Sequence, residues 1–330
     1  MGSLKALTLA GGVAIAAATA AHAADLPAPP PMPAPVLTPI LETSGWYLRG
    51  DVGIGSNKNP KLRTTPDPLA GQSTGYCGAP YNGGYQDCYS DLAATYGFHN
   101  PTLSHSTFVD LGIGYQLNQW LRADATVSWR GGAHLQAVDQ LNVNGTYTQM
   151  FPSGANSGGT PYNQSLRNFY RGNVSSIVGM VNGYIDLGTF WGVTPYIGAG
   201  VGVAQNRITG LTDQGYSYTN GSGWPTGGYF SDGKKTSFAW ALMAGLSYSV
   251  TSNLKLEVGY RYMNLGKMVS GASHCFNGSG ANGGFDSCKW KVSSSKLESH
   301  DVRIGMRWML SQPDAPAPAA YFPAPLRSKF

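Results

Sequence analysis

The chain has 330 residues, a formal net charge of +5 and only 12% charged side chains, together with 45 glycines, 21 prolines and 19 tyrosines. Soluble domains carry about 25% charged residues, so roughly half of the charge that normally solvates a surface is missing. A helical membrane bundle is excluded, because beyond the N-terminus no segment approaches the ~18 consecutive apolar residues that a spanning helix needs.

The N-terminus has the three-part order of a secretory signal over residues 1–23. Lys5 precedes an Ala/Gly-rich apolar stretch, and the small residues before the Ala23/Ala24 bond fit a signal peptidase site. Residues 24–44 and 311–330 are rich in proline, which removes backbone donors and fixes φ. We expect a periplasmic leader and a C-terminal tail that act as extended spacers, with a ligand for a Pro-binding domain as the alternative.

The four cysteines are consistent with export to an oxidising compartment. Cys77 and Cys88 form one pair in the sequence and Cys275 and Cys288 form another, and both spacings are too wide for a Cys-x-x-Cys motif. Two disulfides are expected. Three connectivities are possible, and the local one is favoured because each pair lies within a single Gly/Asn/Ser-rich segment.

Between residues 45 and 310 the dominant pattern is an alternation of apolar and polar residues with period two, which predicts strands. In the strands that hold several charges, all charges fall on the parity opposite the bulky apolar residues. One face of the sheet is therefore apolar, and the other is small, polar and charged. The eight predicted strands cover residues 46–55, 106–117, 121–130, 173–187, 196–203, 237–250, 254–262 and 300–310.

Alternation alone fits both a soluble sandwich and a membrane barrel. The connections alternate in length, with long ones of roughly 50, 42, 29 and 33 residues separated by turns of 2 to 5. Aromatic residues such as Trp46, Trp308, Trp129 and Trp240 lie near strand ends on the apolar face. These features predict an all-β fold, an eight-stranded antiparallel up-and-down transmembrane β-barrel with short periplasmic turns and four long outer loops.

Four short segments carry a family resemblance: GWYLRGDVG at 45–53, TPYIGAGVG at 194–202, FAW at 238–240 and GYRY at 259–262. They resemble the small opacity-type outer-membrane proteins of alphaproteobacteria. The resemblance implies an OmpA-like barrel over residues 45–310 in the outer membrane of a Gram-negative bacterium. Expected partners are outer-membrane lipid and lipopolysaccharide, the barrel assembly machinery and a surface ligand of the long loops. Nucleic acid is not expected, because no basic stripe is present.

The sequence predicts no metal or cofactor site. The glycines of residues 198–202 lack the G-x-G-x-x-G spacing of a dinucleotide loop and lie inside a predicted strand. The six histidines form no H-x-x-x-H pair, so no metal site is supported.

Catalytic residues are not predicted either. Ser299, His300 and Asp301 are consecutive, and consecutive strand residues point to opposite faces. The alternative of a lipid-acyl hydrolase rests on the segment 104–106, which contains Ser104, His105 and Ser106.

The charges on the lumen side nearly balance, and an eight-stranded barrel has an interior that side chains fill. We therefore expect opposite charges to pair into a plug. The predicted network consists of Arg49, Asp51, Arg122, Asp124, Glu257, Arg261, Asp301, Arg303 and Arg307. The predicted function is a non-enzymatic structural and surface-interaction role, with envelope integrity and loop-mediated contacts, and the alternative is a narrow porin-like channel for small solutes.

Overall fold

The computed structural model describes residues 44–69, 73–80, 84–276, 285–287 and 290–310, all within the compact unit Leu41–Phe330. The predicted signal segment, the leader up to residue 43, and the tail at 311–330 lie outside the described residues. Every regular element in the described ranges is a β-strand, which confirms the all-β prediction. In these ranges no helix is long and apolar enough to cross a membrane.

Eight antiparallel strands form a closed ring, in which every strand pairs with two neighbours. The ring strands are β1 (Gly45–Asn57), β5 (Ser106–Gln116), β6 (Leu121–Met150), β7 (Thr160–Asp186), β8 (Val193–Thr219), β10 (Gly233–Ser249), β11 (Leu254–Gly266) and β15 (Leu297–Met309). Seven further strands are β2 (Leu62–Thr65), β3 (Tyr76–Cys77), β4 (Gln86–Leu103), β9 (Ser222–Phe230), β12 (Ser273–Phe276), β13 (Phe285–Ser287) and β14 (Lys291–Ser294).

The ring closes because β1 pairs with β5 over residues 45–55 and with β15 over residues 47–57. Consecutive ring strands are joined at one end by the short segments 117–120, 187–192 and 250–253. In the first of these turns, Asn118 Oδ1 accepts hydrogen bonds from the backbone N–H groups of Trp120 and Leu121, 3.0 and 2.8 Å away. Asparagine favours such turns because its side chain replaces a backbone acceptor.

The two faces of the ring differ as the alternation predicts. On β1, Val52 and Ile54 are 57% and 60% exposed on the outside, whereas Asp51 is 3% exposed inside. The same division holds on β15, where Ile304 points outward and Arg303 is buried. The exterior therefore carries an apolar band, and the interior holds the charges.

The strands β6, β7 and β8 extend far beyond the predicted ends, so much of the predicted loop sequence is strand. On β6 the prediction ends at Arg130, yet the strand continues to Met150. A β-bulge between Arg130 and Ala133, with Gly132 at φ 77°, reverses which residue parity faces inward. After it Leu135 is fully buried. Sequence alternation breaks at such a bulge, so a pattern of period two ends there.

A second β-bulge occurs on β8. A register shift opposite the Arg171/Asn173 segment of β7, with Gly210 at φ 58°, moves the inward parity from Ile208 to Leu211. Glycine adopts this left-handed conformation without a Cβ clash. The predicted end of this strand at residue 203 is corrected to Thr219.

At the end of the ring away from the short turns, the remaining strands extend the sheet. β4 pairs with β6, β9 pairs with β8, and the separate β2–β14 ladder packs nearby. An apolar core fills the interior here, which the sequence prediction of a polar lumen did not include. Its members include Leu62, Leu103, Leu135, Val174, Ile208, Leu211, Phe230, Met263, Leu265, Met268, Val292 and Leu297.

Candidate functional site

Between the short turns and the apolar core, the ring interior encloses six arginines and six carboxylates that are all buried. They are Arg49, Arg122, Arg130, Arg261, Arg303 and Arg307 with Asp51, Asp110, Asp124, Asp186, Glu257 and Asp301. We call this set the lumen network. The formal charges cancel, which is the condition under which so many ions can be buried together.

Glu257 on β11 is the acceptor for the arginines nearest the short turns. Its carboxylate lies 3.1 Å from Arg122, 3.2 Å from Arg307 and 3.4 Å from Arg49. Arg122 also contacts Asp186 at 3.1 Å. One carboxylate thus ties together strands from opposite sides of the ring.

Arg49 on β1 links this group to the middle of the lumen. Its guanidinium lies 2.9 Å from Asp51 and 2.7 Å from Asp124, while Arg303 approaches Asp51 at 3.8 Å. Asn182 donates a 2.7 Å hydrogen bond to the other oxygen of Asp124. The added neutral donor satisfies a lone pair that the ion pair leaves free.

Asp301 on β15 organises the part of the network nearest the apolar core. It contacts Arg130 at 2.7 Å and Arg261 at 3.0 Å, and Arg261 also contacts Asp110 at 2.8 Å. The two guanidinium groups lie 4.9 and 4.7 Å from the centre of the Phe108 ring. Cation–π attraction on this ring adds to the ion pairs.

Buried tyrosines fill the gaps between the ions. The Arg122 guanidinium lies 4.3 Å from the ring centre of Tyr184 and 4.7 Å from that of Tyr196. The Tyr184 hydroxyl accepts a 2.9 Å hydrogen bond from Arg49. A Cβ at Gly198 would collide with the Tyr184 ring. The interior glycines of β8 therefore leave room for aromatic rings.

All nine residues of the predicted network lie in this lumen network. The predicted network did not include Asp110, Arg130 and Asp186, although the parity of their strands places them among the interior charges. Seven of the nine predicted members lie on β1, β11 and β15. The structure connects those strands to β5, β6 and β7, because charges meet across the interior as well as along neighbouring strands.

The structure places Cys77 and Cys88 in a disulfide that joins β3 to β4, with Cα atoms 4.0 Å apart. Cys275 on β12 is also disulfide-bonded. Cys288 lies outside the described residues, as do Ala23 and Ala24 of the predicted cleavage site.

The serine and histidine residues weighed for catalysis do not converge. Ser299 and Asp301 are buried together, 2.6 Å apart, while His300 lies outside and contacts the Tyr260 hydroxyl at 2.6 Å. Ser106 accepts from Arg130 at 3.4 Å. Among the described residues, no group of three metal-ligand side chains is present.

A second buried acidic group lies in the outer part of the sheet. Asp139 accepts 2.8 Å hydrogen bonds from the hydroxyls of Tyr96 and Tyr170 and a 3.0 Å bond from Asn168. Burial raises the pKa of Asp139 above its usual range. Burial, with a smaller contribution from Asp139, raises the pKa of Asp213 on β8 to about 6.

Residues 8–293 match the family model described as the outer membrane protein beta-barrel domain. The chain belongs to this family. It is 28% identical over 304 residues to an uncharacterised protein of Brucella suis, covering 89% of this chain and 94% of that one. It is 34% identical over 98 residues to outer membrane protein PagN of Salmonella typhimurium, covering 29% and 36%. It is 24% identical over 202 residues to a putative adhesin of Rickettsia prowazekii, covering 61% and 72%.

Membership in this family places the protein in the Gram-negative outer membrane. The expected resemblance to outer-membrane barrel proteins of alphaproteobacteria is confirmed by the family match and the Brucella relative. The apolar band lies on the outside of the ring, and the charged side chains lie inside it.

Proposed function

We propose that this protein is an eight-stranded transmembrane barrel with a structural and surface-interaction role, and that its lumen is plugged rather than conducting. The observation that carries the proposal is the lumen network of six arginines and six carboxylates. Its ion pairs cross the interior from β1 to β6, β6 to β15 and β11 to β6.

Two successive barriers oppose solute flow. The first is the lumen network, in which Arg49, Glu257 and Asp301 each hold more than one partner. Breaking a buried ion pair leaves an uncompensated charge, so the network resists opening. The second is the apolar core around Leu135 and Ile208, both of which are almost fully buried.

The proposed orientation puts the segments 117–120, 187–192 and 250–253 in the periplasm and the long extensions of β6, β7 and β8 outside the cell. Outer-membrane barrels have short periplasmic turns and longer extracellular connections. Trp46 and Tyr115 near the turns, with ring centres 5.3 Å apart, supply an aromatic girdle at one edge of the apolar band.

The outer extension is the proposed interaction surface, for envelope contacts and a surface ligand. Tyr216, Tyr218 and Trp224 are about half exposed on the β8–β9 hairpin. Tyrosine-rich, weakly charged surfaces provide large contact area at low entropic cost. The relative from Rickettsia prowazekii carries the name putative adhesin, which supports this role.

The assembly machinery and outer-membrane lipid, including lipopolysaccharide, are the other proposed partners. Exposed cations lie beyond the outer edge of the apolar band, where lipid phosphates would be. They are Lys58, Lys61, Arg63, Arg167, Arg171, Arg207, Lys234, Lys235, Lys267, Lys291 and Lys296. Positive side chains at a bilayer surface attract anionic headgroups.

Bilayer conductance of the refolded protein tests the plug. Insertion is verified by protease protection of the ring strands, and a general porin in the same bilayer provides the positive control. We expect silent bilayers for this protein. Steady nanosiemens-scale conductance would overturn the plug and favour the porin-like channel.

Labelling of intact cells tests the orientation. A cysteine introduced at Tyr218 should react with a membrane-impermeant maleimide, and a cysteine at Thr251 should react only after the outer membrane is permeabilised. Equal labelling of both positions on intact cells would contradict the proposed orientation.

A further inference from the structure

A groove of about 520 Å³ lies on the outer wall of the ring where β5, β6, β7, β8 and β10 pass side by side. Its lower part is lined by Val109, Trp129 and Ile177, which belong to the apolar band. Its upper rim carries Arg207 and Lys234. An apolar floor with a cationic rim is a built amphipathic site rather than a flat lipid-facing surface.

The groove exists because of the bulge on β6. Gly131 lines it, and a Cβ at this position would meet nothing within 4 Å. Ser175 on β7 also lines it and is small and exposed. Neighbouring outward positions such as Trp129 and Ile177 are large and about half exposed. These two small residues at the outer edge of the apolar band thus leave the space that forms the groove.

Two cations lie next to each other at the rim of the groove. Arg207 on β8 and Lys234 on β10 are directly opposite each other in the strand register. Like charges in such a pair are destabilising. Asp232 contacts Arg207 at 2.8 Å, so it compensates one of the two charges. The rim keeps a net positive charge beside an apolar hollow.

We propose that this groove binds one phosphorylated lipid of the surrounding outer leaflet. The acyl chain lies on Trp129 and Ile177, and the phosphate lies between Arg207 and Lys234. A guanidinium binds phosphate through two parallel N–H groups, and a lysine adds a point charge. The inference rests on the proposed membrane orientation and identifies a lipid partner and its site.

The chemistry selects a lipid over a free anion. Inorganic phosphate could satisfy Arg207 and Lys234, but it would make no contact with the apolar floor. An uncharged lipid would cover the floor and leave the net positive charge of the rim uncompensated. A ligand with both parts satisfies both regions of the groove.

Native mass spectrometry of the detergent-purified protein with bisphosphorylated lipid A as the probe tests the site. Gly131→Phe fills the hollow without altering charge, and Gly183→Phe is its control, since Gly183 also faces outward with nothing within 4 Å of a Cβ. Arg207→Gln with Lys234→Gln removes both rim cations, and Lys291→Gln is its control on β14. We expect the two groove variants to lower affinity for the first bound lipid at least tenfold and both controls to retain it.

Equal lipid binding by wild-type and both groove variants would overturn the proposal, and so would an equally stable adduct with inorganic phosphate alone. If Gly131→Phe fails to fold, the Arg207→Gln/Lys234→Gln variant decides the question. Conductance and detergent-folded yield are measured on the same samples. Loss of the lipid with a folded, silent barrel therefore separates failure at this groove from failure of the proposed function.

Discussion

Arg130 on β6 and Asp301 on β15 form an ion pair across the lumen, with 2.7 Å between Nη1 and Oδ2. Their strands are not neighbours, because β1 and β5 stand between them in the ring. Both side chains are almost fully buried. This pair therefore braces the ring from inside, independently of the backbone ladder.

Removing one partner of this brace should destabilise the protein strongly. Arg130→Met leaves Asp301 with Arg261 as its remaining cation, and we expect a loss of about 3–5 kcal/mol in the free energy of unfolding. The double variant Arg130→Met/Asp301→Asn should recover part of that loss. Urea unfolding in lipid vesicles, followed by tryptophan fluorescence, measures both.

The control for this prediction is the exposed pair of Arg207 and Asp232, whose side chains are both 47% exposed. Asp232→Asn should leave the free energy of unfolding unchanged, because solvent screens such pairs. If Arg130→Met changed the free energy of unfolding as little as Asp232→Asn, solvent would screen the buried pair as well, and the lumen would be well hydrated.

A charge introduced into the apolar band should cost stability according to its depth. Leu242 is 54% exposed near the middle of β10, and Leu256 is 43% exposed on β11. We expect Leu242→Arg or Leu256→Arg to lower the free energy of unfolding by about 2–4 kcal/mol. Tyr218→Arg, outside the band, should cost little. Recovery of folded wild-type protein without detergent would refute the membrane assignment.

Loss of the Cys77–Cys88 disulfide should loosen the β3–β4 hairpin while the ring persists. Tyr76 and Tyr89 flank the bond in the register and stack with ring centres 5.0 Å apart. Because a disulfide restricts the unfolded state of the loop that it closes, it typically stabilises the folded state by ~2–4 kcal/mol. In the Cys77→Ser/Cys88→Ser variant, hydrogen exchange should accelerate in residues 84–95 and stay unchanged in β1.

Peptide mapping under non-reducing conditions provides the complementary check on the cysteines. A peptide linking Cys77 to Cys88 is expected from the structure. The local pairing of Cys275 with Cys288 stays a prediction. Free thiols, or links only between the two segments, would contradict the local connectivity.

The outer sheet should be less stable at neutral than at mildly acidic pH because of Asp213. Its folded pKa of about 6 lies above the ordinary value of 3.8, so the folded state binds more protons between about pH 4 and 6. The free energy of unfolding therefore falls as the pH rises through that window and Asp213 loses its proton, by on the order of 1–2 kcal/mol for a partly screened group.

Hydrogen exchange of β8 and β9, corrected for the intrinsic pH dependence of exchange, measures this effect at pH 5 and pH 7.5. We expect greater protection at pH 5 in the wild type and no such difference in Asp213→Asn. The ring strands β1 and β15 serve as the internal reference. An identical pH response in both proteins would remove Asp213 as the cause.

The sequence by itself determined the strand content and the two-faced character of the ring. On β1 the alternation of Val52 and Ile54 with Arg49 and Asp51 assigns each residue to a face, because strand side chains point alternately to opposite sides. The inward charges followed from this parity alone. Their near balance predicted pairing without identifying the partners.

Only the tertiary structure decided which charged residues form ion pairs and how long the strands are. Arg130 meets Asp301 because closure of the ring brings distant strands within reach, and no local pattern encodes that distance. The bulges at Gly132 and Gly210 reverse the inward parity. The strand continues through each bulge, but the period-two pattern of the sequence is interrupted there. On β6 the sequence pattern missed the apolar core from Leu135 onward for this reason, because the inward parity changes at the Gly132 bulge.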